Sequence, residues 1–519
     1  MKGSLEVSRA GGQSRRSHLQ NQATALDLSW PSSHGSEMEP ARSGQPKVMP
    51  ASHARPILRS YDDQCQSGEI ADEDRGSLPN ETTCDAVPGV EIVRYPYRIA
   101  EDHRIFDQVH ADQSRAVRDQ IPNCVAPACA LKFVVVENEE ELCSHVPAWQ
   151  DLADHALEAN VFYEPWLLRP ALRTLNRGTR LRLVLIYEAS TPETPGVSRL
   201  CGFFPLEPDS RFRNLPIRVW CLWKHLHCFL CTPLIRPERA RETLAALLQW
   251  AGGDGSAHVV DFSHVRGDGP FHDLLIEHAN DTGKLRCVTN RFARALWKPG
   301  QKSEDYLQNT LSTGVRKEYR RQRKRLGELG RLEFRTLQKH HEVDDWLEEF
   351  LRLEASGWKA REGTALGINA NERAYVREAA QEGFARNQML LQGLFLDGRP
   401  VAMLLSFFAG TGGFTFKTAY DEAFAKFSPG VQIMLDVLGC LHSDSRHAWM
   451  DSCAEPNHPM INRLWKDQRV IESVLVSTGH WLGDLVISVY PAGQRLARLI
   501  RACSQQLPSR KGASCAALN

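Results

Sequence analysis

Past residue 130 the chain runs twice through one order of elements, and that repetition limits the architectures open to it. In the first pass, apolar patterning predicts a strand over 130–136, a helix over 138–157 broken near Pro147, and a helix over 165–175 with Pro165 in its first turn. Strands at 181–187, 200–206, 217–222 and 226–230 follow, then a helix at 237–250 and a strand at 259–262. The second pass opens with a helix at 303–310 and a basic helix at 314–329. It continues with a strand at 332–336, helices at 342–356 and 375–384, and strands at 389–396, 401–408 and 413–419. A helix at 430–441 and a strand at 448–451 close it. Strands joined by short turns pair antiparallel, and helices between them cover the faces. The expected fold is therefore α/β of the α+β kind, with two tandem domains, each a mixed, mostly antiparallel sheet flanked by helices.

The same reading sets the domain limits at 130–300 and 301–479, with a lead-in segment at 86–129 and a terminal helix with a basic tail at 480–519. Residues 1–85 are rich in Ser, Gly, Arg, Gln and Asp and carry few periodic apolar positions, so disorder is expected there.

Composition narrows the function classes. Lys plus Arg and Asp plus Glu each number 63, so no whole-molecule field points to nucleic acid or an acidic membrane as the main partner. The 14 cysteines are scattered over a long chain, and the first residues lack an apolar signal core, which together fit a reducing cytoplasm. The longest apolar runs, 391–395 and 401–408, fall well short of the ~20 residues a membrane helix needs, so no transmembrane segment is expected. Nothing in the pattern sets an oligomeric state.

Three clusters carry the candidate chemistry. The first is 414–421, which holds Lys417, Tyr420 and Asp421, followed by Ser428, Pro429 and Gly430 at a helix start. Strand alternation places Phe414, Phe416, Thr418 and Tyr420 on one face and Thr415, Lys417 and Ala419 on the other. At the helix start, Ser428 is suited to cap, Pro429 to the first turn and Gly430 to close approach by a ligand, and free amides there favour a phosphate. The second cluster is Asp451 at the end of a predicted strand, with His458 and Trp465 after it; the ends of such strands often bind ligands. The third joins Glu354, Trp358 and Lys359, where a helix closes on a glycine and presents an aromatic and a basic residue.

Other features have blander readings. The run 316–325 is a strongly basic helix, whose ordinary role is a solvated face and whose alternative roles are to hold CoA phosphates, an anionic acceptor or tRNA. Cys228 and Cys231, with His225 and His227 alongside, have the spacing of half a zinc site, but residues three apart on a strand face opposite ways, so no metal is expected.

In this order, the run 353–359 with Gly363 and Thr364, the run 416–421, the turn 428–430, and Asp451 with His458 and Trp465 resemble the acetyltransferase family associated with bacterial cellulose biosynthesis, a branch of the GNAT superfamily. The segment 161–166 shares the likeness. The resemblance implies two GNAT-type halves, arranged as in Fem-type transferases, with acetyl-CoA or another acyl-CoA as donor. The acceptor class it suggests is a small molecule or saccharide: a sugar, a polysaccharide precursor or a related metabolite. The loop 427–430 is shorter than the usual GNAT pyrophosphate loop, and Fem-type relatives with such loops use aminoacyl-tRNA, so tRNA stands as the alternative donor. A non-catalytic partner in exopolysaccharide assembly is the third reading.

On the CoA reading, the expected mechanism is direct acyl transfer. Asp451 or Asp421 acts as base, Tyr420 protonates the leaving thiolate, and Lys417 neutralises a phosphate or orients the acceptor. Ser428, Pro429 and Gly430 hold the donor, while Trp358, Lys359 and His458 face the acceptor.

Overall fold

The structure is a computed structural model, described here over residues 130–506 apart from 177, 190–198, 210–216, 301–302 and 445. The side chains of 358 and 496–506 also lie outside the described part, as do the segments 1–85 and 86–129 and the end of the basic tail. Every described residue belongs to one compact unit, 102–519.

Among the described residues, thirteen strands form one sheet. They are β1 (Leu131–Val136), β2 (Arg182–Glu188), β3 (Arg199–Asp209), β4 (Val219–Leu222), β5 (Leu234–Ile235), β6 (Val259–Arg266) and β7 (Arg286–Trp297) in the first half. The second half contributes β8 (Leu332–Thr336), β9 (Met389–Leu396), β10 (Arg399–Ala409), β11 (Gly412–Tyr420), β12 (Trp449–Asp451) and β13 (Asp467–Ser477). The spatial order is β1-β2-β3-β4-β6-β13-β7-β12-β11-β10-β9-β8, with β5 paired to β3. All pairs are antiparallel except β4 with β6 and β11 with β12, so the architecture is the mixed, mostly antiparallel α/β arrangement that the element order implies.

The halves are stitched by exchanging their last strands. β13, from the second half, pairs with β6 of the first, and β7, from the first half, pairs with β12 of the second. β7 and β13 themselves pair along their length, from Asp467↔Leu296 to Val476↔Arg286, and so join what would be two sheets into one. Neither strand was expected from the sequence, nor was the helix Pro270–Asp281. The first part of β7 is largely exposed and carries Arg286 and Arg291, which hides the apolar rhythm a buried strand shows.

A further difference concerns 226–230, expected as a strand. This stretch is irregular and turns back on itself, with the Cys228 amide donating to His225 O at 3.0 Å; the pairing expected of it is made later, by β5. The expected helix break near Pro147 is present, between Glu139–Cys143 and Val146–Asp154, where Pro147 fits the first turn of the second helix.

The largest apolar cluster runs through both halves. Phe162 meets Phe414 edge-on at 5.4 Å, and Trp166 meets Phe407 in the same way at 5.5 Å. Such edge contacts are the favoured geometry for buried rings. On the opposite face of the second half, the helix Pro429–Ser443 covers a separate cluster that includes Leu404, Ile433, Met434 and Trp465. Among the described residues, no helix is long and apolar enough to cross a membrane.

Candidate active site

β11 and β12 are parallel neighbours over only three residue pairs, ending at Phe414↔Asp451. Beyond Phe414, β11 continues to Tyr420 with β10 on one side and, among the described residues, no strand on the other. Lys359 takes the Thr418 carbonyl, and the rest of this strand-free edge suits an extended, amide-bearing ligand.

A β-bulge sits where the strands part. Leu405 pairs with Lys417 and Ser406 with Thr415, so Phe416 is the extra residue on β11. A bulge breaks the alternation of faces. Phe414, Phe416 and Ala419 therefore all join the main core, and Lys417 turns to the same side, whereas Tyr420 packs in the cluster on the other face. The unbroken alternation expected from sequence, with Tyr420 beside Phe414 and Lys417 opposite, is corrected by this one inserted residue.

Lys417 points at Glu354, a buried carboxylate on the helix Val343–Ala355. Lys359, on the short helix Trp358–Arg361, donates to Glu354 Oε1 at 3.0 Å and to Thr418 O at 2.7 Å, while the Leu366 amide donates to Oε2 at 2.9 Å. Glu354 is thus fully engaged. Lys417 is held loosely: its Nζ lies 3.4 Å from Thr364 O and 3.8 Å from Glu354 Oε1. Burial pushes the Lys417 ammonium below its usual range, and Lys359 pushes it further, against the pull of Glu354. A buried cation with long contacts is available to a developing negative charge.

Residues that the sequence did not single out for catalysis complete the cluster. His227, on the irregular loop after β4, places Nε2 2.9 Å from Oε2 of Glu372, in the first turn of the helix Ala370–Ala385. The His227 ring stacks on Tyr375 at 5.8 Å and meets Phe416 edge-on at 6.0 Å. The hydroxyl of Tyr375 is buried and has no hydrogen-bond partner among the described residues, an uncommon state for a buried polar group. No signal in the sequence marked His227 with Glu372, because they lie 145 positions apart.

The other expected site residues fall into distinct places. Asp451 is fully buried: Arg294 Nη2 and Arg469 Nη1 donate to Oδ2 at 2.8 Å and 2.9 Å, and the Cys453 amide donates to Oδ1 at 2.9 Å. Burial raises its pKa, but the two guanidiniums more than offset that and hold the carboxyl below its ordinary range. A carboxylate so saturated is a poor proton acceptor; its geometry is that of a brace between the exchanged strands. Asp421 caps the turn Glu422–Phe427 through the Ala423 amide at 3.0 Å and pairs with Arg399 at 2.8 Å. It too is occupied with local structure.

Ser428 adopts the left-handed region at φ 53°, and its side chain makes no capping bond to the helix it precedes. Its carbonyl takes the Val431 and Gln432 amides at 2.9 Å and 3.0 Å, and Pro429 has no N–H. Among the described residues this leaves the Gly430 amide without a backbone partner, fewer donors than a full set of free amides. Tyr420 lies beside this helix start, with Cδ1 3.6 Å from where a Cβ on Gly430 would stand. His458 Nδ1 is 3.4 Å from the Ile461 amide; burial lowers its pKa, and the Lys359 charge lowers it further. Trp358 opens its short helix, and its side chain lies outside the described residues.

The Cys228 and Cys231 thiols lie 3.7 Å apart in the core, and among the described residues no group of three or more His, Cys, Asp or Glu is gathered as a metal site.

The family described as acetyltransferase (GNAT) domain matches residues 313–456, a stretch that holds β11, its bulge, the helix start and Asp451. No curated protein matches the chain. Solved structures with a similar course include FemX, at 11% identity over 66% of this chain and 96% of that one, with a TM-score of 0.43. The C-terminal domain of a putative lysylphosphatidylglycerol synthetase from Agrobacterium fabrum gives 11% identity over 67% and 95%, with a TM-score of 0.40. A tandem GNAT protein from the clavulanic acid biosynthesis pathway gives 14% identity over 68% and 99%, with a TM-score of 0.34. These likenesses are distant. The matched residues, 313–456, lie in the second half of the mixed sheet.

Proposed function

We propose that the second half transfers an acyl group directly from an acyl-CoA, acetyl-CoA foremost, to an amine or hydroxyl acceptor. The observation that carries the reading is the parting of β11 from β12 after Phe414, with the loosely held Lys417 ammonium at the opening. The free edge of β11 suits the amides of a pantetheine arm, and the Gly430 amide suits a phosphate of the same donor. Lys417 then stabilises the oxyanion that forms as the acceptor attacks the thioester carbon. Tyr420, beside the helix start, supplies a proton to the leaving thiolate. Lys359 and His458 border the acceptor side. Following the sequence resemblance, the acceptor class is a sugar, a polysaccharide precursor or a related metabolite.

A second reading, aminoacyl transfer from charged tRNA, draws on the helix Thr313–Gly327, where Lys317, Arg320, Lys324 and Arg325 are exposed. The readings part in one experiment on the full chain: thermal shift with acetyl-CoA, desulfo-CoA and tRNA, followed by CoA release with a panel of amines, amino sugars and sugars. Stabilisation by both CoA species and acceptor-dependent CoA release support the proposal. With Lys417→Met, a folded protein that still binds CoA and turns over roughly 100-fold more slowly is expected. Stabilisation by tRNA alone moves the assignment to the second reading, and stabilisation by none moves it to a non-catalytic partner.

A further inference from the structure

We infer that His227, carried into the second half's site by the first half, is the general base of the transfer, with Glu372 orienting the neutral ring and stabilising it once it is protonated. The inference rests on the acyl-transfer reading and names the base that reading lacks.

Three observations carry it. The Nε2 to Glu372 Oε2 contact of 2.9 Å assigns the imidazole proton to Nε2, because a carboxylate oxygen only accepts, and this leaves Nδ1 bare as a proton acceptor. The ring is fixed by stacking on Tyr375 and by its edge contact with Phe416, the bulged residue where β11 leaves β12, so it stands at the point where a thioester on the open edge would react. The carboxylates expected to serve as base are occupied, Asp451 by two arginines and Asp421 by a turn and Arg399.

The charged and titratable groups around the imidazole agree with the role. Glu372 and Tyr375 face it from the helix Ala370–Ala385, Lys417 from β11, Glu354 from the helix Val343–Ala355, and His225 from its own loop. Burial lowers the His227 pKa most, Glu372 raises it and Lys417 lowers it again, so the ring is neutral near pH 7 and gains a stabilising partner once protonated. In the step, the acceptor's lone pair bonds to the acyl carbon, its proton passes to Nδ1, and the C–S pair leaves on sulfur. The thiolate takes a proton from Tyr420, and the imidazolium proton restores the phenol through solvent, so the sum is acceptor plus acyl-CoA giving acylated acceptor plus CoA thiol.

The test uses the full chain, acetyl-CoA and an acceptor that supports CoA release. His227→Gln is expected to keep acetyl-CoA binding and to lose on the order of 100-fold in kcat, together with the acid limb of the kcat/KM profile. Glu372→Gln keeps an oxygen to accept from Nε2 but removes the charge, so the limb, which lies below pH 6.5 in the wild type, should move to still lower pH. This second variant leaves the imidazole in place and decides the matter if His227→Gln fails to fold. Turnover within about threefold of wild type with the limb unmoved in a folded variant overturns the dyad and leaves acyl transfer standing. A wild type that neither binds acetyl-CoA nor releases CoA overturns the transfer reading and the dyad with it.

Discussion

Arg294, near the end of β7, donates from Nη2 to Oδ2 of Asp451 at 2.8 Å, so a strand of the first half is pinned to the last residue of β12 by a fully buried ion pair. Arg469 of β13 shares the same oxygen, and its guanidinium lies 4.0 Å over the Trp449 ring. Asp451→Asn leaves two buried guanidiniums without their countercharge, and a loss of about 3–5 kcal/mol is expected by urea unfolding. Because the folded carboxyl titrates below 3.8, the stabilisation is present above that pH and fades as pH falls through the lower folded value. Retained turnover in a folded Asp451→Asn protein would mark the residue as a brace; a folded variant that still binds acetyl-CoA but has lost turnover would return it to the chemistry.

His272 gives an opposite pH signature. Burial lowers its pKa, but Asp273 and Glu472, the latter 2.9 Å from Nε2, together raise it from 6.5 to about 9. The group therefore adds stability that is complete below pH 6.5 and lost as pH rises through about 9. Its size is up to about 3 kcal/mol at one unit per 1.36 kcal/mol. Unfolding free energies measured from pH 6 to pH 10 should fall across that window in the wild type and much less in His272→Gln.

Gly383, inside the helix Ala370–Ala385, tests the packing between the halves. A Cβ there would stand 2.8 Å from Cζ3 of Trp166 and 3.0 Å from Cβ of Met389. Gly383→Ala gains up to about 1 kcal/mol in helix propensity, but the clash with a buried ring costs about 1–3 kcal/mol. Net destabilisation by calorimetry is the expected result; net stabilisation would show that Trp166 moves freely.

Ser428→Gly removes a Cβ from a residue at φ 53° whose side chain makes no capping bond. Relief of left-handed strain, ~1 kcal/mol, is partly offset by the added freedom of glycine in the unfolded chain. A small rise in Tm with unchanged acetyl-CoA affinity is expected. A drop in affinity would instead give the hydroxyl a role on the donor.

The sequence by itself determined the local pieces. The apolar segments 389–396 and 401–408 became β9 and β10, the basic run 316–325 became part of the helix Thr313–Gly327, and Pro165 and Pro429 open helices as their fixed φ requires. The lysines at 359 and 417 were legible as candidates because of their residue type and their positions beside a glycine turn and on a strand. What only the tertiary structure decided was pairing and orientation. The exchange of β7 and β13 depends on contacts between residues far apart in the chain, which no local pattern encodes. The inserted Phe416 turned Lys417 to the core side, because a bulge is a mismatch between two strands and belongs to neither alone. The same distance hid His227 from Glu372, and only the fold placed two guanidiniums around the buried Asp451: a carboxylate's surroundings are set by which charges the fold brings within reach, and the chain order does not state that.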